Sequence, residues 1–336
     1  MDLQGYRDRY GQELFAVEDR WYRVYVDDDD VSIGRAQTTY IPATTPSEKA
    51  ARREFLREQQ TQAIGRTSIQ VYKMGDPSTK TPCFTRDGGK VLAKLPTIQP
   101  YVRDNAFIEN YLEEVFVYKT HIDFIRDYMA CYTCTNYQRL PFIVLTGKRG
   151  TGKTTFVELV GSIYPSLYQK YTSAKFNIST KYVNAKLLHI DEMLQRDDEF
   201  FTRIKRITGS DKLLVTDKYG FPLYSIKNNT NVIVDTNEHR PFVLKEEDLP
   251  QYRHENGLFV KKVARDPKRP MNPFLLQELR DRLGWYVQDV LVPRFKFMED
   301  TNHFAANRYL LRVPMTAAGN KLVSLSIEHR ENKKQG

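Results

Sequence analysis

Gly147-Lys148-Arg149-Gly150-Thr151-Gly152-Lys153-Thr154 has the residue types and spacing of a loop that holds phosphate. It fits G-x-x-x-x-G-K-[ST] at each position, with an apolar run before it and a helical pattern after it. Gly147, Gly150 and Gly152 allow backbone angles that turn amide N–H groups inward onto anionic oxygens. A helix starting near Gly152 adds its positive end to the same place. Lys153 is expected to reach the β- and γ-phosphates of ATP, and the Thr154 hydroxyl to ligate Mg²⁺, with Gly147 to Thr155 as the ATP-binding stretch. Hydrolysis also needs a carboxylate for the metal and a group that takes a proton from water. "KLLHIDEM" supplies both: Asp191 stands at the end of an apolar strand and Glu192 follows it, about forty residues beyond the loop. "NVIVDTNE" is a further apolar strand ending in Thr236 and Asn237. The Asn237 amide could face the γ-phosphate or hold the water; an Asn that simply turns the chain is the other reading.

These residues need a sheet and helices to converge. "RLPFIVLTG", "AKLLHIDEM" and "NVIVDTNE" read as short buried strands. "KTTFVELVGSIYPSLY" reads as a helix closed at Pro165, and "DDEFFTRIKRITG" as another with an acidic start and a Gly stop. Alternating strands and helices predict an α/β fold with a parallel sheet from about residue 105 to 270. "KLLVTDKYGFPLYSI" looks like a hairpin around Tyr219-Gly220-Phe221. "NAFIENYLEEVFVYKTHIDFIRDYMACYTC" predicts one or two lead-in helices broken near Lys119, and "NPFLLQELRDRLGWYVQDVLVPRFKF" one or two closing helices. The N-terminal hundred residues read as short aromatic and β-branched strands, then a helix over "TPSEKAARREFLREQQTQAIG", then a loop or linker over "MGDPSTKTPCFTRDGGK". The expected domains are a β-rich accessory region (1–104), a helical lead-in or oligomerisation segment (105–140), a phosphate-loop ATPase core (141–270), and C-terminal helices with a basic tail (271–336).

Taken in order, "TGKRGTGKTT", "LLHIDE", "IKRITGSDKLLVTDKYG" and "NVIVDTN" resemble motifs A, B, B′ and C of the superfamily 3 helicases, AAA+ motors of viruses, phages and mobile elements. The likeness is nearest to the helicase half of poxvirus- and phage-type primase-helicases. It covers about residues 105–300. Lys205-Arg206-Ile207-Thr208-Gly209-Ser210-Asp211 departs from the familiar K-x-x-T-G-G-D form of B′ only at Ser210.

The resemblance implies an AAA+-like fold and an ATP-driven helicase working in genome replication, as a hexameric homo-oligomer on single-stranded DNA. Lys153 and Thr154 would bind phosphate and metal, Asp191 and Glu192 would hold Mg²⁺ and activate water, and Asn237 would sense the γ-phosphate. Lys218 and Tyr219 at the B′ hairpin tip would grip the nucleic-acid backbone and stack on a base or sugar. A neighbouring subunit would supply an arginine, Arg253 first and Arg240 second. A separate primase or polymerase is a possible partner. RNA in place of DNA stays open, and so does a motor that packages or remodels without unwinding. A small-molecule kinase or nucleotide-binding scaffold is the reading from another class.

Composition narrows the field. The chain has 336 residues, 40% of them apolar, enough for a sizeable core. Lys and Arg outnumber Asp and Glu by 51 to 42, for a formal charge of +9, which permits a polyanionic partner. No apolar run reaches the roughly eighteen residues that span a membrane. The charged opening "MDLQGYRDRYGQELF" lacks a signal-peptide core, so a cytoplasmic protein is expected. Cys83, Cys131 and Cys134 do not make a disulfide framework. Cys131-x-x-Cys134 has no second pair at zinc spacing and reads as two helix-end cysteines. The acid run Asp27 to Asp30 reads as a solvated turn. The basic stretches "VKKVARDPKRP" and "HRENKKQG" could touch nucleic acid; solvated loops are the plainer reading.

Overall fold

A computed structural model describes residues 1–17, 20–27, 30–63, 70–116, 118–136, 140, 142–172, 185–191, 207, 212–215, 224–237, 258–262 and 272–300. The chain divides into two compact units. One comprises Met1–Met74, Ser78–Pro96 and Leu214–Ile226; the other comprises Gly75–Pro77, Thr97–Leu213 and Lys227–Gly336.

In the first unit a short helix, α1 (Leu3–Tyr10), precedes the expected strands. Asp2 caps it, its carboxylate accepting the Gly5 N–H. β1 (Leu14–Val17), β2 (Arg20–Val26) and β3 (Val31–Arg35) form an antiparallel meander. α2 (Pro46–Thr61) begins with a capping box: Thr45 accepts the Glu48 N–H, and Glu48 reaches back to the Thr45 N–H. Tyr6, Tyr10, Leu14, Ile41 and Phe55 make the core between these elements. β4 (Gln70–Gly75), β5 (Cys83–Asp87) and β6 (Lys90–Leu95) form a second three-stranded sheet in the order β4-β6-β5. The stretch expected as a linker therefore holds β5 and the turn into β6. Gly88 takes the left-handed conformation (φ 54°) that closes this turn.

The second unit is a parallel sheet with helices against it. The lead-in is two helices, α3 (Asn105–Val115) and α4 (Lys119–Cys134). Then follow β7 (Phe142–Thr146), α5 (Lys153–Gly161), β8 (Tyr168–Thr172) and β9 (Leu187–Asp191). β10 (Lys212–Val215) and β11 (Tyr224–Lys227) pair with each other in a separate two-stranded sheet, most of which (Leu214–Ile226) belongs to the first unit, and the tip between them lies outside the described residues. β12 (Asn231–Thr236) and β13 (Leu258–Lys262) complete the sheet, whose order is β13-β7-β12-β9-β8, every pairing parallel. β7 and β12 are buried along their whole length, as a sheet covered on both faces requires. Each Ile, Leu or Val so buried contributes on the order of 2 kcal/mol.

The closing segment is α6 (Leu275–Tyr286), a π-helical turn (Val287–Leu291) and α7 (Val292–Asp300). α6 packs close enough that a Cβ on Gly284 would meet the backbone of Gln99 and Pro100 at 2.5–2.6 Å. Polar ties hold the helical layer. Tyr286 Oη donates to Glu109 at 2.8 Å, Arg126 Nε donates to the same carboxylate at 2.8 Å, and Arg294 Nε donates to Asp127 at 2.6 Å. No helix among the described residues is long and apolar enough to cross a membrane.

Candidate functional site

The parallel register fixes the site. Thr146 of β7 lies beside Thr236 of β12, and Val234 of β12 beside Ile190 of β9. The C-terminal ends of the three strands therefore meet at one edge, where ligands gather in α/β sheets. The chain leaves β7 through the glycine loop and enters α5 at Lys153. Gly150 (φ 80°) and Gly152 (φ 93°) are left-handed, so a side chain at either position would strain the loop. The Tyr111 hydroxyl of α3 donates to the Gly152 carbonyl at 3.1 Å and braces the turn from behind. Thr151 Oγ1 donates to the Lys148 carbonyl at 2.9 Å.

A cleft of about 270 Å³ opens at this edge, lined by Arg149 to Thr155, Asp191, Asp235, Thr236 and Asn237. Lys153 is buried, and its ammonium donates to the carbonyls of Gly147 (2.9 Å) and Lys148 (2.8 Å) and to Asn237 Oδ1 (3.1 Å). Burial lowers its pKa, against the pull of Asp235 and Asp191. Two residues far apart in sequence, Lys153 and Asn237, are thus in direct contact.

Thr154 Oγ1 donates at 2.5 Å to Asp235, not to Asp191. Asp235 was not singled out in the sequence. It sits inside the apolar run of β12 at 2% exposure, two residues before Asn237. Side chains alternate along a strand, so His189 and Asp191 of β9 share a face, and the register sets Asp235 next to Asp191 on that face. An acid inside an otherwise apolar strand was the available signal.

The ligand atoms of His189, Asp191 and Asp235 all lie within 4.8 Å of one another. Lys170 of β8 pairs with Asp191 at 2.8 Å and with Glu158 of α5 at 2.8 Å. The two carboxyls are pushed apart in pKa. Burial raises Asp191, and Asp235 adds to this, although Lys170 opposes it. Burial also works to raise Asp235, but the His189 imidazole and the Thr154 hydroxyl outweigh it and hold the group at about 2. Two adjacent acids of this kind share a proton or are balanced by positive charge, which Lys170 supplies in part on Asp191.

Glu192, Arg240, Arg253, Lys218 and Tyr219 lie outside the described residues, as does the predicted helix before Ile207. Cys131 is buried and Cys134 half-buried at the end of α4; burial pushes both thiols up, Cys134 to about 12, which makes them poor nucleophiles.

A family model described as "Family of unknown function (DUF5906)" matches residues 145–253, the stretch that carries the loop, Asp191, Asp235 and Asn237. No curated protein matches the chain in sequence. Among solved structures, the chain is similar to the apo C-terminal region of NrS-1. One such structure aligns with a TM-score of 0.55 at 17% identity, over 91% of this chain and 81% of that one. A second aligns with a TM-score of 0.56 at 16% identity, over 86% and 68%. At such identities the likeness is one of fold.

Proposed function

We propose that the chain is an ATP-driven motor of the superfamily 3 helicase type, moving on single-stranded DNA as a ring of identical subunits during replication of a viral, phage or mobile-element genome. The observation that carries this is the convergence of Lys153, Thr154, Asp191, Asp235 and Asn237 in one cleft, at the carboxyl edge of a parallel sheet and the start of α5.

Each group has a task that its position suits. The loop amides and the N-terminus of α5 take the phosphate oxygens. The Lys153 ammonium exchanges its carbonyl and Asn237 partners for phosphate oxygens when a nucleotide enters, which frees the Asn237 amide to face the γ-phosphate. The Thr154 hydroxyl and the Asp191 and Asp235 carboxylates are hard oxygen donors, the set that suits Mg²⁺. When bound there, Mg²⁺ neutralises charge on the phosphates. Glu192, next along the chain from Asp191, is assigned the proton from the attacking water. Arg253 is assigned the stabilising charge on the phosphate of a neighbouring subunit.

The reading is tested by strand separation on a forked DNA substrate. The wild-type chain with ATP should separate the strands. Lys218→Ala with Tyr219→Ala should hydrolyse ATP at the basal rate without separating them. Hydrolysis with no separation by the wild-type chain would leave a packaging or remodelling motor in place of the helicase.

A further inference from the structure

We infer that His189, with Asp191 and Asp235, forms a divalent-metal site with one imidazole donor, which holds a transition-metal ion, for which Mn²⁺ is the paramagnetic probe, before any nucleotide binds. This rests on the phosphate-binding reading of the same cleft, but adds a ligand and a metal preference that the phosphate loop does not imply.

His189 is 0% exposed, in the middle of β9. A buried imidazole ordinarily satisfies both ring nitrogens. Here Nδ1 is 2.7 Å from the Tyr168 hydroxyl of β8. Nε2 makes no hydrogen bond among the described residues; it faces Asp235 Oδ2 at 3.6 Å, close enough for electrostatic attraction but longer than a hydrogen bond. That spacing is close to the roughly 3.0–3.4 Å between two donors on one ion with bonds of about 2.1 Å. The Tyr168 contact is the kind of outer support that fixes the ring of a metal-ligating histidine and leaves the other nitrogen aimed at the ion. Thr154, bonded to Asp235, joins this group to the phosphate loop.

An all-oxygen set suits Mg²⁺, whereas an imidazole tilts the preference toward later divalent ions. Glu158 and Lys170 border the cluster. The Lys170 ammonium on Asp191 supplies, in the metal-free chain, part of the positive charge that two adjacent carboxyls require.

The test is Mn²⁺ binding to the full chain without nucleotide, followed by electron paramagnetic resonance. One bound Mn²⁺ per chain is expected, with nitrogen modulation from an imidazole in the pulsed spectrum. His189→Gln should lose that modulation, and Asp235→Asn should weaken binding. Tyr168→Phe, which spares all three ligands, should weaken it roughly tenfold. Circular dichroism shows which variants are folded. Bound Mn²⁺ without nitrogen modulation, or unchanged binding in folded His189→Gln and Asp235→Asn, overturns the inference. Lys153→Ala separates the two readings. If it loses ATP and keeps Mn²⁺ with its nitrogen signature, both stand. A wild-type chain that binds Mn²⁺ in this way but never ATP sinks only the nucleotide reading. One that binds ATP but takes Mn²⁺ only with it, and without nitrogen modulation, sinks only this one.

Discussion

Replacing Lys153 with methionine should separate binding from stability. The ammonium is buried against two loop carbonyls and Asn237, and its pKa is lowered. A lysine whose folded pKa lies below its unfolded value costs the fold stability while it is charged. Methionine keeps most of the volume and removes the charge, so without nucleotide the variant should be as stable as the wild type, or more stable by up to about 2 kcal/mol. ATP binding should suffer in the opposite sense. Two charge-assisted bonds to phosphate, each about 1.5–3 kcal/mol, replace bonds to neutral carbonyls. The net loss is about 2–4 kcal/mol, roughly 30- to 1,000-fold in Kd. Urea unfolding of the nucleotide-free chain and calorimetric titration with ATP read the two effects separately. A variant that loses more than about 2 kcal/mol of stability, yet binds ATP as well as its folded fraction allows, would make Lys153 a structural residue and refute the reasoning.

Three further outcomes follow from the same contacts. Against the effect of burial, His189 and Thr154 hold Asp235 below its usual pKa of 3.8, at about 2, so it stabilises above pH 3.8 and loses that stabilisation as pH falls toward 2; in the presence of a chelator, Asp235→Asn should flatten that part of the urea-midpoint profile. Lys186 is buried over the rings of Tyr164 (4.3 Å) and Tyr132 (5.0 Å), and burial pushes it down to about 7. Its charge therefore destabilises the fold most below that pH, stability should climb as pH rises from about 7 toward 10.5, and Lys186→Met should remove the climb. A Cβ on Gly161 would collide with the Tyr168 ring, so Gly161→Ala should cost about 1–3 kcal/mol in thermal unfolding and, by displacing Tyr168 from His189, weaken Mn²⁺ binding.

Much of the second unit was legible because its strands are buried on both faces. "FIVLT" and "NVIVDT" are apolar runs too short for helices and bounded by turns. The capping box at Thr45 and Glu48 likewise marked the start of α2. Polar and aromatic residues fill β8, "YQKYT", so its sequence carries no apolar strand run after Pro165. The β5–β6 hairpin is obscured in the sequence although Asp87-Gly88 is a strong turn signal, because the Gly, Pro and Ser before it have the composition of a linker. Asp235 stayed hidden because its role depends on register: only pairing β12 beside β9 sets it against Asp191 and His189. A contact between strands more than forty residues apart is a property of the fold, and no local spacing records it.

The most direct measurement is steady-state ATP hydrolysis by the full chain, with and without single-stranded DNA, beside Lys153→Ala. The proposed motor hydrolyses ATP, turns over faster with the strand, and loses both activities in the variant. A wild-type chain that does not hydrolyse ATP, or a variant that matches it, would contradict the account.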